Sequence, residues 1–280
     1  MGRNHNVIGG QMRIVKGYWL CLCALILWME SPACAALVTG DVAFVGFSAD
    51  GSDGFAFVAL NNIDANSTIF FRDDEWSGTA FNTGENVITW QSGLVDVTAG
   101  SIVQISNVAS GGISTTVGAI SLSGLGGFGT SNEGLFAYTG PNANAPSTFL
   151  TALFNGTAIG SGSTLAGSGL ISGTNAIEFG GNQDVFEYTG PRNTESSFSG
   201  YQPLVNNTSN WLSEDGAGDQ SVNGLAPDVP FSNQAFSTTF STTASAPEPS
   251  AWLLSITSGL ALLFWHWRTQ RQAASQTPAS

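Results

Sequence analysis

Between residues 36 and 231, apolar residues come in short runs separated by clusters of Gly, Asp, Asn and Ser. No long stretch carries a helical period, and this is the pattern of many strands and turns. Strands are expected at Asp41 to Phe47, Phe55 to Leu60, Thr68 to Arg72, Val87 to Gln91 and Ser101 to Ser106. Gly51-Ser52-Asp53-Gly54 is a turn between the first two. In the first strand Ala43, Val45 and Phe47 alternate with Val42, Phe44 and Gly46, so both faces are mostly apolar. Such a strand belongs in the core of a sandwich. The expected fold is therefore all-β, with 36–231 forming one β-sandwich, a size one all-β domain can reach.

Gly134-Leu135-Phe136-Ala137-Tyr138-Thr139-Gly140-Pro141 echoes Asp184-Val185-Phe186-Glu187-Tyr188-Thr189-Gly190-Pro191. Two copies are too few for a repeat array, and two similar hairpins within one domain explain them. Residues 232–246 are rich in Ser and Thr, with Phe236 and Phe240 among them, and read as a spacer that includes room for a last strand.

Both ends are hydrophobic. Arg13 and Lys16 precede the apolar run Trp19 to Trp28, and Ala33-Cys34-Ala35 is a small-x-small site. Residues 1–35 therefore read as a secretory signal cut between Ala35 and Ala36, with Met12 an alternative start. An uncleaved anchor is the competing reading, and the run is short for a span. At the other end Pro247-Glu248-Pro249 leads into the mostly apolar stretch Ala251 to Trp267, followed by Arg268 and Arg271. Residues 251–267 are at the short limit of a transmembrane helix, with Trp252, Trp265 and Trp267 at its edges. The arginines beyond it place the polar tail 273–280 in the cytoplasm and the sandwich outside.

The order Pro-Glu-Pro, apolar helix, arginines over 247–272 resembles the PEP-CTERM sorting domain. The resemblance implies recognition by an exosortase-type enzyme, with Pro247, Glu248 and Pro249 as the sorting motif and Arg268 and Arg271 as the membrane stop. It also implies passage through the inner membrane to the cell surface or extracellular matrix, with the secretion machinery and the membrane as partners. The thin arginine pair and the tail beyond it depart from the usual pattern. An ordinary C-terminal anchor is the alternative.

The chain has a net charge of −13, with 20 acidic residues. Cys21, Cys23, Cys34, His5 and His266 all lie in the end segments, and Arg72 and Arg192 are the sole cations between residues 36 and 246. That segment offers no imidazole for a Ser-His-Asp or Cys-His system, no His or Cys for zinc and no lysine for a Schiff base. Its charge repels nucleic acid. No cofactor is expected unless it is calcium, which hard oxygen ligands on loops suit. Asp50, Asp53, Asp73, Asp74 and Glu75 are the candidate ligands; solvated turn carboxylates are the plainer explanation. Asp74, Glu75 and Glu85 beside Trp76 and Trp90 are the pieces a carboxylate glycosidase would need. Trp76, Trp90, Trp211, Tyr138, Tyr188 and Tyr201 are candidates for a sugar-stacking platform, or for packing. Asn66, Asn155, Asn206 and Asn207 open Asn-x-Ser/Thr sequons.

The body also resembles a β-rich module of secreted bacterial proteins with a lamin-tail, immunoglobulin-like sandwich. Residues 40–46, 53–58, 71–76, 136–140, 147–153, 188–192 and 206–211 carry the resemblance. It implies the same fold class and no settled activity. The functional expectation is a non-enzymatic envelope or matrix protein, in contact with extracellular polysaccharide. The alternatives are a carbohydrate- or calcium-dependent adhesion module and a carboxylate-based glycoside hydrolase.

Overall fold

A computed structural model describes residues 36–124 and 126–239. Twelve strands run in the order β1 (Val42–Ser48), β2 (Gly54–Ala59), β3 (Thr68–Arg72), β4 (Val87–Gln91), β5 (Ile102–Ser106), β6 (Ser114–Thr115), β7 (Ala119–Ser123), β8 (Gly134–Thr139), β9 (Thr148–Phe154), β10 (Ala176–Glu178), β11 (Val185–Tyr188) and β12 (Trp211–Glu214). They form two six-stranded sheets, ordered β12-β11-β1-β2-β5-β6 and β10-β9-β8-β3-β4-β7. The one α-helix among the described residues is the short α1 (Gln202–Val205). The expected all-β sandwich is therefore present, and the five expected strands match β1 to β5 to within a residue at each end.

Between the sheets lies an aromatic core. Phe71 of the second sheet meets Phe44, Phe55 and Phe57 of the first at ring-centroid distances of 6.2, 4.7 and 5.4 Å. Trp90 meets Phe57 edge-on at 5.4 Å. These tilted and edge-to-face contacts add to the area term of burying each ring. On β3, Ile69 and Phe71 point to this core, while Phe70 points to the opposite face. That opposite face has a second aromatic cluster: Phe70, Phe136, Tyr138, Phe149 and Phe154, with Trp76 and Phe81 supplied by the β3–β4 connection.

The first sheet is covered on its outer face by the C-terminal segment. Register places Glu187, Gly46, Ala56 and Gln104 in one row across β11, β1, β2 and β5. Phe231 sits over that row: a Cβ on Gly46 would lie 2.6 Å from its ring. Gln104 Nε2 donates to Phe231 O at 2.6 Å, and Glu187 Oε1 accepts from Ser232 N at 2.6 Å. Further along, Phe236 is buried, and the N–H groups of Phe236, Ser237 and Thr239 donate to the carbonyls of Gly100, Arg192 and Glu195. The sequence places a spacer from residue 232. Through Thr239 that segment is instead a strap packed on the domain, because the apolar outer face of β1 and β2 needs cover. It forms no strand.

The two echoing segments fall in different sheets, as β8 and β11. In each, the tyrosine closes the turn that follows: Tyr138 Oη donates to Ala143 O at 2.6 Å, and Tyr188 Oη to Pro191 O at 2.8 Å.

The strap makes glycine at position 46 a packing requirement. Gly46→Ala is expected to displace the Phe231 ring and lower unfolding free energy by about 1–3 kcal/mol. Urea denaturation of the variant against the parent measures it, and an unchanged midpoint would contradict the seating of Phe231.

Candidate functional site

The acidic residues marked as calcium ligands are taken up by the protein itself. Asp50 Oδ1 accepts from Gly51 N at 2.8 Å and Oδ2 from Gln220 N at 2.5 Å. Asp53 Oδ2 accepts from Phe128 N. Asp73 and Asp74 follow β3 directly and so point to opposite sides. Asp73 takes both Asn86 donors, the backbone N–H at 2.7 Å and Nδ2 at 3.0 Å. Asp74 Oδ2 pairs with Arg72 Nε at 2.5 Å, and its Oδ1 accepts from Glu85 N at 3.1 Å. Glu75 Oε2 accepts from Asn82 Nδ2 at 2.7 Å. Among the described residues no group of three or more His, Cys, Asp or Glu side chains is arranged to hold a metal ion. Each of the carboxylates expected as calcium ligands, Asp50, Asp53, Asp73, Asp74 and Glu75, thus accepts from a neighbouring N–H.

Two of these carboxylates, Asp53 directly and Asp73 through Asn86, join Glu133 in clamping one glycine-rich loop, residues 126–133. Asp53 holds Phe128 N, and Asn86, oriented by Asp73, donates Nδ2 to Gly126 O at 3.1 Å. Glu133 accepts from Gly129 N at 2.7 Å and Gly134 N at 3.0 Å. Asn155, fully buried, bridges Glu133 N and Gly129 O. The loop's N–H groups at Phe128 and Gly129 thus face carboxylates and are not left for a phosphate. Asn86 and Glu133 escaped the sequence reading, and Asn155 entered it only as a sequon. The one trace of them is Gly126-Gly127-Phe128-Gly129 with an acid four residues after its last glycine.

Burial raises the pKa of this set. Asp53 and Asp73 are each pushed up to about 6, chiefly by desolvation and against the bonds from Phe128 and Asn86. Desolvation pushes Glu133 up to about 8, opposed by the Gly129 and Gly134 N–H groups and aided by Asp73 and Glu85. Partial burial, then the charges of Asp73, Glu75 and Asp74, bring Glu85 to about 7.

The aromatic candidates are core. Trp90, Tyr138, Tyr188 and Tyr201 are fully buried, and Trp76 and Trp211 nearly so. Trp76 Nε1 donates to Ala166 O, Trp90 Nε1 to Val117 O and Trp211 Nε1 to Val205 O. Buried in this way, these rings are packed in the interior and not laid open for sugar stacking. Of the glycosidase pieces, Asp74 is bound to Arg72, and Glu75 lines a cleft of about 260 Å³ with Phe81 and Asn82 that Glu85 does not line. The Asn155 and Asn206 amides are buried and hydrogen-bonded, which removes those two sequons from the surface.

Both cations are structural posts. Arg72 donates to Asp74, Asn144 Oδ1 and Asn82 O, and lies 5.0 Å over the Phe81 ring. Arg192 donates to Gln234 O and Tyr188 O and lies 5.1 Å over Phe236.

Ala36, the first described residue, is exposed. Ala35, Pro247, Glu248, Pro249, Arg268, Arg271 and the expected span 251–267 lie outside the described residues. Within the described residues no helix is long and apolar enough to cross a membrane.

The raised carboxyls set the pH dependence of stability. Each folded pKa exceeds the unfolded value of about 4, so the folded state binds more protons and loses stability as pH rises. The melting temperature is expected to be highest near pH 5 and to fall steadily towards pH 8.5. Glu133→Gln should flatten the upper part of that fall. A melting temperature that rises from pH 5 to 8.5 would reverse the sign and refute the assignment.

No protein-family model, no curated protein and no solved structure matches the chain.

Proposed function

We propose that this chain is an exported, non-enzymatic envelope or extracellular-matrix protein whose β-sandwich is the cargo of a C-terminal sorting tail. The observation that carries this reading is the order of parts at 247–272: Pro247-Glu248-Pro249, an apolar stretch, then Arg268 and Arg271. The N-terminal apolar run ending at Ala33-Cys34-Ala35 gives the same topology from independent residues. In this proposal the sandwich is of the lamin-tail, immunoglobulin-like kind that the sequence resembles. An exosortase-type enzyme handles the tail, and the domain ends at the surface or in the matrix.

The state of the polar groups supports a structural cargo. Both arginines of the domain brace loops, and the clustered acids hold backbone N–H groups. A catalytic constellation normally leaves a nucleophile and a base within reach of each other and of substrate.

Mass spectrometry of the native protein, combined with cell fractionation, tests the reading. The expected result is an N-terminus at Ala36, a C-terminus short of Ser280, and recovery from the surface or matrix fraction. An intact C-terminus at Ser280 in the inner membrane would refute sorting and leave a plain anchored protein.

A further inference from the structure

One open cleft, of about 500 Å³, lies at an end of the first sheet. That volume is within the range of small-ligand sites, about 300–1,000 Å³. Asp41 enters it just before β1, Asn61 and Asn62 just after β2, and Ser197, Phe198 and Ser199 from the start of the 3-10 turn Phe198–Tyr201.

The polar groups are held in place by bonds that leave donors over. Asn62 Oδ1 accepts from Ala99 N at 2.9 Å, and Asn61 Oδ1 from Asn62 N at 2.9 Å. Both amides are thereby oriented through their oxygens. Asn61 Nδ2 donates one hydrogen to Asp41 Oδ1 at 3.2 Å, while Asn62 Nδ2 donates to no described residue. Asp41 is largely buried, and its Oδ2 accepts from Val38 N at 2.7 Å; a carboxylate oxygen has more than one lone pair, so at the cleft wall it still has capacity to accept. Ser197 Oγ and Ser199 Oγ, 3.1 Å apart, are exposed and add two hydroxyls.

Phe198 is half-buried, and it lies where it does because residue 100 is glycine: a Cβ there would lie 2.6 Å from its Cε1. Its uncovered part lines the cleft and supplies an apolar surface among amides, hydroxyls and one carboxylate. No Lys, Arg or His lines the cleft, and Asp41 repels anions.

A ligand matched to this set has many hydroxyls that both donate and accept, an apolar C–H face, and no negative charge. We propose that the cleft binds a neutral oligosaccharide, one pyranose ring lying against Phe198 and its hydroxyls meeting Asp41, Asn61, Asn62 and the two serines. The inference gives the adhesion alternative a site, and it stands whether or not the tail is processed.

The test uses the full chain purified in a detergent without a sugar headgroup. Short neutral gluco-, galacto- and manno-oligosaccharides and an anionic oligouronate are titrated by calorimetry. Saturable binding of at least one neutral probe is expected, with the oligouronate much weaker. Asn62→Asp keeps the Oδ1 acceptor for Ala99 but removes the amide donor and sets a second negative charge near Asp41. It should lower affinity about tenfold or more at unchanged melting temperature. Ser199→Ala, which removes only an exposed hydroxyl, should lower it about threefold. No neutral probe binding, an oligouronate bound as tightly, or full affinity in both variants would overturn the proposal. An intact tail at Ser280 would sink the sorting reading without touching this one, and failure to bind glycans would do the reverse.

Discussion

Water must be kept from both faces of the central strands, and most of the architecture answers that constraint. β1 and β2 are buried along their whole length, and β3 and β8 nearly so. Packing two sheets together covers only the inner face of each, where Phe71 meets Phe44, Phe55 and Phe57. Each apolar side chain left exposed on an outer face would forgo about 1.5–3 kcal/mol of burial. Both outer faces therefore carry a cover of non-strand chain. Over the second sheet it is the aromatic cluster around Trp76 and Phe81, and over the first it is the strap from Phe231 to Thr239.

The two arginines divide between these covers. Arg72 ties the β3–β4 connection at Asn82 to residues 143 and 144, over the Phe81 ring. Arg192 ties the strap at Gln234 to Tyr188, with its guanidinium over Phe236. Irregular chain laid on a sheet leaves carbonyl groups without ladder partners, and a guanidinium can satisfy several at once from one point. A domain this rich in acids thus uses its scarce positive charge on acceptors inside covers. The acids do the complementary work at N–H groups, as Asp73, Asp53 and Glu133 do around the 126–133 loop.

What was legible in the sequence followed from period. β1 to β5 alternate or run apolar over lengths suited to strands, and Gly and Asp clusters punctuate them, so their limits come out within a residue. The two-faced apolar character of β1 was also legible, but not what covers its outer face. The strap pairs with Gly46, Gln104 and Glu187 through contacts more than forty residues apart in sequence, and its Ser/Thr-rich composition is that of a linker. The partners of the carboxylates were illegible for a related reason. Asp73, Asp74 and Glu75 are adjacent in sequence, yet strand geometry sends Asp73 to Asn86 and Asp74 to Arg72. The tryptophans were ambiguous because composition does not distinguish a ring in a core from a ring on a surface.

The strap is also where the sandwich would meet tension. A pull on the chain beyond Thr239 loads the Thr239–Glu195, Ser237–Arg192 and Phe236–Gly100 backbone bonds before any strand of either sheet. Detachment would uncover the Gly46 row while the ladders of both sheets stayed intact. In mechanical terms the strap is in series with the fold, set between such a load and the strands. Its seat is shaped by two glycines: Gly46 leaves room for the Phe231 ring and Gly100 for the Phe236 carbonyl.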